Sequence, residues 1–202
     1  MNFDDFANNW DTERRTKRAK IIADEIAVTV NAKENSSAME FGSGTGLISF
    51  NLKDNFSHIT LIDISKFMID NLDFKIENNK INNMVTRQID IIENDIDEKF
   101  DVIYSSMALH HIKDTNEILG KFYKLLNSEG YLCIVDLDEE DGSFHKNDED
   151  FDGHNGFNQE ELKQMLINIG FRDVEAHTFF KDKKIIDGEE IEYSLFILKA
   201  EK

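Results

Sequence analysis

Met39-Glu-Phe-Gly-Ser-Gly-Thr-Gly-Leu-Ile-Ser49 decides the reading of this chain. Glycines stand at 42, 44 and 46, Glu40 precedes the first by two positions, and an apolar segment follows that can open a helix. Glycine lets the main chain approach a ligand closely and take positive φ without a Cβ clash. N–H groups exposed at the helix start favour an anionic group. The next apolar run, Ile59-Thr-Leu-Ile-Asp63, ends on a second carboxylate. A carboxylate there can accept hydrogen bonds from both hydroxyls of a ribose and repels a 2′-phosphate. The arrangement suits a nucleoside with a charged tail, held at the carboxyl edge of a parallel sheet, where open α/β sheets place their ligands.

Spacing separates the nucleosides. The dinucleotide fingerprint is G-x-G-x-x-G/A. Counted from Gly42 its last position is Leu47, which fails; counted from Gly44 it is Ser49, a marginal match. A carboxylate at Glu40 disfavours a pyrophosphate but can lie near the ammonium and sulfonium charges of S-adenosylmethionine. The alternate glycines with Glu40 and Asp63 therefore fit S-adenosylmethionine better than NAD.

The chain has 202 residues, enough for one domain with a sizeable core, and its 40% hydrophobic content argues against disorder. We expect a single domain over 1–202, with a helical cap over 1–31. No apolar run reaches the roughly 18 residues that span a bilayer, and the N-terminus lacks signal-peptide features. One cysteine, Cys133, provides neither a disulfide framework nor a cysteine-rich metal site. These features predict a cytoplasmic protein without a membrane partner. The net charge of −18 would repel a phosphate backbone, so nucleic acid is not expected as a partner either. A local basic run, Arg14-Arg-Thr-Lys-Arg-Ala-Lys20, reads as the solvated face of a first helix whose other side carries Ala19, Ile22, Ala23, Ile26 and Ala27.

Helical patterns alternate with short apolar runs, which predicts α/β architecture. Helices are expected at about 12–31, from the glycine turn to Lys53, from an N-cap at Ser65 to about Asn79, from a cap at Asp114 through Leu126, and over 158–169, ending at Gly170. Strands are expected at 38–41, 58–62, 84–89, 100–105 and 131–135. The chain closes with runs at 171–179 and 193–198, and Asp187-Gly188 between them suggests an antiparallel pair whose connection can exceed a tight turn. Residues 136–157 read as an acidic loop on the substrate side of the sheet.

Four segments resemble the class I S-adenosylmethionine-dependent methyltransferases, and among them the small enzymes related to ubiquinone/menaquinone-biosynthesis methyltransferases. Glu40-Phe-Gly-Ser-Gly-Thr-Gly46 is similar to the first motif, and Ile62-Asp-Ile64 to the ribose-binding end of the second strand. Arg87-Gln-Ile-Asp-Ile91 is similar to the adenine-binding segment, though Gly-Asp-Ala often stands where this chain has Ile89-Asp-Ile91. Phe100-Asp-Val-Ile-Tyr-Ser-Ser-Met-Ala-Leu-His-His-Ile112 is similar to the fourth-strand motif. Leu125 to Leu132 adds a weaker match. The resemblance implies a Rossmann-like, doubly wound seven-stranded sheet of order 3-2-1-4-5-7-6 with strand 7 antiparallel. It also implies cofactor contacts from Glu40, Gly42, Ser43, Gly44, Gly46, Asp63, Ile64 and Met68. Asp90 would meet the adenine amino group, the Ile91 N–H a ring nitrogen, and the Ser105 carbonyl the methionine ammonium.

Methyl transfer from a sulfonium needs alignment more than acid–base help, so a catalytic residue is not obligatory. If a base exists, His110 is a candidate on the cofactor side of the fourth strand, with His111 facing the core. His145 and His154 lie in the acidic loop, and substrate-binding residues often sit on such loops. Trp10, Phe144, His145, His154 and Phe157 are candidate acceptor contacts, with Phe151 a further aromatic; ordinary packing is the alternative for each. His145, His154 and the loop carboxylates match no tight metal spacing, so no metal is expected. The reading is an S-adenosylmethionine-dependent methyltransferase with a small-molecule acceptor. The rivals are a nicotinamide-dependent oxidoreductase and a non-catalytic S-adenosylmethionine-binding module.

Overall fold

A computed structural model describes residues 11–33, 35–148 and 150–202. Its centre is a seven-stranded sheet of order β3-β2-β1-β4-β5-β7-β6. The strands are β1 (Ser37–Phe41), β2 (His58–Asp63), β3 (Met84–Gln88), β4 (Phe100–Ser106), β5 (Leu126–Leu137), β6 (Arg172–Ile186) and β7 (Glu189–Glu201). Strands β1 to β5 pair in parallel, whereas β7 runs antiparallel to both β5 and β6. This is the expected order and the expected antiparallel strand.

The helices are α1 (Glu13–Val30), α2 (Ser49–Leu52), α3 (Lys66–Asn78), α4 (Thr115–Leu125) and α5 (Gln159–Ile169). Each long one starts on a side chain that takes an otherwise orphaned N–H. Thr12 accepts from the Arg15 N–H at 3.2 Å, Ser65 from Met68 at 3.2 Å and Asp114 from Glu117 at 2.9 Å. Asn158 caps α5 through Glu160 and Glu161, and Gly170 ends it.

Side chains alternate across a strand, so each strand feeds two cores. Ala38, Leu61, Val102, Tyr104, Cys133 and Val135 pack with Ile22 and Ile26 of α1, Leu52 of α2 and Leu72 of α3. Met39, Ile62, Ile103, Leu132 and Ile134 pack with Leu119 and Phe122 of α4 and Leu162 and Leu166 of α5. Helices on both faces explain why the central strands are apolar almost throughout.

Three boundaries differ from expectation. The helix after the glycine turn is only α2, because irregular turns occupy most of 42–48. Strand β5 begins at Leu126, where the extended backbone (φ −74°, ψ 143°) follows α4 with no intervening turn. The closing hairpin is tight: Asp187 and Gly188, both at positive φ (52° and 83°), join β6 to β7. Two consecutive positive-φ residues match the right-handed twist of the flanking strands. No helix among the described residues is long and apolar enough to cross a membrane.

Candidate cofactor and acceptor site

The glycine turn leaves the carboxyl end of β1 and faces the end of β2. Gly42 sits at φ +69°, and a Cβ there would lie 2.5 Å from the Ala108 Cβ after β4. Turn and loop thus touch where only glycine fits. Asp63 ties the turn to β2: its Oδ2 accepts the Gly44 N–H at 2.8 Å and its Oδ1 the Ser65 N–H at 2.9 Å. The Ser43 N–H reaches the Ile62 carbonyl at 3.0 Å.

A pocket opens over this edge. Glu40, Gly42, Ser43, Gly44, Asp63, Ile64 and Met68, all expected at the cofactor, border it. Gly46 lies beneath, against Leu72 and Phe50. Asp90, Ile91 and Ser105 are not among the residues that border the pocket, and the contacts expected of Ile91 and Ser105 are backbone ones that side-chain burial leaves untouched. Ile89 borders the pocket, while Ile91 is buried in the core beside α4 and Asp90 Oδ1 accepts the Ile92 N–H at 2.8 Å. Ser106 borders it, while the Ser105 side chain is wholly buried.

Glu40 is buried, accepts a hydrogen bond from the Ser49 hydroxyl, and Ser49 in turn meets the Tyr104 hydroxyl. Burial raises its pKa from 4.5 to about 8, with Asp63 adding to the rise and the Ser49 hydrogen bond opposing it. Burial thus favours the protonated form of Glu40. A cation entering the pocket favours its ionised form.

Helix α1 corrects the reading of the basic run. Arg15 and Arg18 are not simply a solvated face; with Ala19 and Ile22 they form one wall of the pocket. Arg18 Nη1 donates to the Tyr193 hydroxyl at 3.2 Å, and Arg14 pairs with Asp182 at 2.8 Å. Burial, then the nearby Arg18, lowers the Arg15 pKa. The signal was present in the spacing, because positions i, i+3, i+4 and i+7 share one helix face. Trp10 lies outside the described residues.

The adjacent histidines exchange their expected places. His110, expected toward the cofactor, is buried, with Nδ1 at 2.6 Å from Asp136 Oδ1. His111, expected in the core, borders the pocket. The chain after β4 forms a single 3-10 turn over Leu109–His111. At three residues per turn, strand alternation no longer applies. The His111 pKa falls to about 3 through burial, then through His110 and His145. That of His145, in the 3-10 turn Ser143–His145, falls to about 4 through burial, then His110 and Lys184.

The other loop candidates stand away from the pocket lining. His154 Nε2 lies 2.9 Å from the Ile112 carbonyl and 3.1 Å from the Thr115 hydroxyl, at the start of α4. Phe144 packs on Tyr193, with Lys184 Nζ 4.3 Å above its ring. Phe157 packs between His154 and Phe196. Phe151 stacks on the His145 ring at 3.9 Å.

A fold with a glycine turn, a carboxylate at the end of the second strand and a pocket over the parallel edge is that of a nucleoside-cofactor protein. Residues 32–189 match a methyltransferase domain family, and the chain belongs to it, within the class I S-adenosylmethionine-dependent methyltransferases. S-adenosylmethionine is the cofactor of that class. An uncharacterised methyltransferase of Schizosaccharomyces pombe is 31% identical over 198 residues, covering 85% of this chain and 69% of the relative. A phosphoethanolamine N-methyltransferase of Triticum aestivum is 29% identical, covering 75% of this chain but 31% of that enzyme. The malonyl-[acyl-carrier protein] O-methyltransferase of Calditerrivibrio nitroreducens is likewise spanned over only 40% of its length. An S-adenosylmethionine-dependent methyltransferase structure from Aquifex aeolicus superposes with a TM-score of 0.71 at 16% identity, covering 98% of this chain and 97% of that one.

Proposed function

We propose that the protein transfers the methyl group of S-adenosylmethionine to a small-molecule acceptor. The carrying observation is one pocket bordered by Glu40, the glycine turn, Asp63 and Met68 at one side and by His111, Arg15 and Arg18 at the other. The adenosine lies along Asp63, Ile64 and Met68, with the ribose hydroxyls donating to Asp63. The methionine ammonium and the sulfonium bear on Glu40, and the methionine carboxylate faces Arg15 and Arg18. Residues 1–202 act as one domain, with α1 as the cap and the 136–157 loop on the acceptor side. Alignment of nucleophile, methyl carbon and sulfur supplies several kcal/mol of the rate enhancement. The charge of −18 disfavours nucleic acid as acceptor.

Calorimetric titration tests the cofactor, with binding of S-adenosylmethionine and S-adenosylhomocysteine expected and no binding of NAD. Incubation with methyl-labelled S-adenosylmethionine and a fractionated cell extract tests the acceptor, with label expected in the small-molecule fraction. Label confined to protein or nucleic acid would overturn that part. Cofactor binding with no labelled product would favour the non-catalytic module, and NAD binding the oxidoreductase.

A further inference from the structure

A second group of side chains stands at the acceptor side. His110, His111 and His145 each offer a ligand atom, and these atoms all lie within 4.8 Å of one another. The ring centroids are 4.1 Å apart for His110 and His111, 5.1 Å for His110 and His145, and 5.5 Å for His111 and His145. His145 Nε2 is buried with no hydrogen-bond partner among the described residues. A buried nitrogen left in that state carries a desolvation cost, which a bound cation would offset.

The surroundings are built to hold the three rings. Asp136 is wholly buried and accepts from the His110 and Leu137 N–H groups at 3.2 and 2.8 Å as well as facing His110 Nδ1. That contact orients His110 to present Nε2, the arrangement common to metal-ligating histidines. Phe151 lies parallel to the His145 ring, within 7°. The loop carrying His145 is latched to the turn carrying His110: the His154 N–H donates to the His110 carbonyl at 2.7 Å. A Cβ at Gly153 would lie 2.1 Å from that same oxygen, so only glycine permits the approach. Imidazole nitrogens bind zinc at about 2.0–2.1 Å, so closure on an ion requires each ring to move inward by about 1 Å.

We propose that His110, His111 and His145 bind a divalent first-row transition-metal ion with one position open toward the pocket that His111 borders. Three imidazoles with an open fourth position suit zinc, cobalt, nickel or iron(II) rather than the oxygen-seeking magnesium or calcium. Resting on the methyltransferase reading above, the ion's role is to bind the acceptor's hydroxyl or thiol and favour its deprotonated form. The proton leaves to solvent, the nucleophile's electron pair forms the bond to the methyl carbon, and the carbon–sulfur pair stays on sulfur as a neutral thioether. No protein base is then required.

The test uses the full chain after dialysis against a chelator, titrated with cobalt(II) and read by visible absorption and by elemental analysis, with S-adenosylhomocysteine binding measured alongside. One equivalent of tightly held cobalt is expected, displaced by zinc. His145→Phe, which keeps an aromatic ring against Phe151, should weaken uptake at least about 100-fold, and Asp136→Asn about 10- to 100-fold. His177→Ala, at an exposed histidine remote from the cluster, should change nothing. Absence of stoichiometric uptake in a protein that still binds S-adenosylhomocysteine, or uptake unaffected in His145→Phe, would overturn the metal site. Cobalt uptake without cofactor binding would keep the metal site and overturn the methyltransferase reading.

Discussion

The two sides of the pocket are made by opposite means. The glycine-turn side comes mainly from one stretch of chain between Glu40 and Met68, where each element hands directly to the next, with Ile89 and Ser106 beside it. The other side, which we assign to the methionine carboxylate and the acceptor, gathers Arg15 and Arg18 from α1, His111 from the turn after β4 and, behind it, His145 from the loop after β5. Local construction lets backbone groups carry recognition: glycine N–H groups and a carboxylate that braces them. Long-range construction relies on side chains whose positions depend on sheet order. The first side should fail by steric or hydrogen-bond damage within its own segment, and the second by loss of a single distant contributor.

Gly42→Ala is the strongest way to break that contrast. The new Cβ would meet the Ala108 Cβ at 2.5 Å with φ held at +69°, and neither atom belongs to a flexible side chain. S-adenosylhomocysteine affinity should fall at least about 100-fold, near 3 kcal/mol, by calorimetry. An unchanged affinity would show that turn and β4 loop do not close on each other.

Asp63→Ala removes the acceptor of the Gly44 and Ser65 N–H groups as well as the ribose partner. A loss of about 1–3 kcal/mol in cofactor affinity is expected. A purely structural Asp63 would instead lower thermal stability and leave the affinity of the folded fraction intact.

Glu40 sharpens the comparison through pH. Its raised pKa means that its contribution to the stability of the ligand-free fold is greatest below pH 4.5 and is lost as the pH rises through about 8. Cofactor cations reverse the preference, so affinity should increase with pH up to about 8, by at most about tenfold per pH unit, with proton release on binding. Calorimetry in buffers of different ionisation enthalpy measures that release. Glu40→Gln should abolish both slopes, and persistence of either would assign the proton elsewhere.

Arg15→Gln should weaken cofactor affinity by about 1 kcal/mol, the scale of a partly exposed charge contact. Smallest of all, His145→Ala should leave S-adenosylhomocysteine affinity within about twofold. A large loss there would show that the two sides are coupled and that the contrast is false.

The strand pattern was readable because β1, β2, β4 and the second half of β5 are apolar runs separated by helical patterns, with Ser65 and Asp114 each announcing a helix start, whereas β3 carries a weaker signal. Arg15 and Arg18 read in the sequence as part of a solvated face, although their spacing follows the apolar stripe of α1 and could have placed them at the pocket. His110 and His111 were not readable, because adjacent residues are sorted by the backbone between them, and a 3-10 turn replaced the expected strand alternation. Ile89 was not anticipated at the pocket for a similar reason: the chain leaves β3 through turns that bury the Ile91 side chain under α4 while Ile89 stays at the pocket.

By itself the sequence determined the α/β class, the sheet order through its resemblance, and the cofactor turn, because glycine conformations, cap side chains and apolar periodicity act over a few neighbouring residues. Only the tertiary structure decided that His110 turns to Asp136 while His111 meets the pocket, and that His145 arrives beside both. Those contacts depend on β4 and β5 being parallel neighbours, which brings the loops at their carboxyl ends together across a long separation in sequence. Packing of the whole sheet, rather than any local preference, fixes that distance.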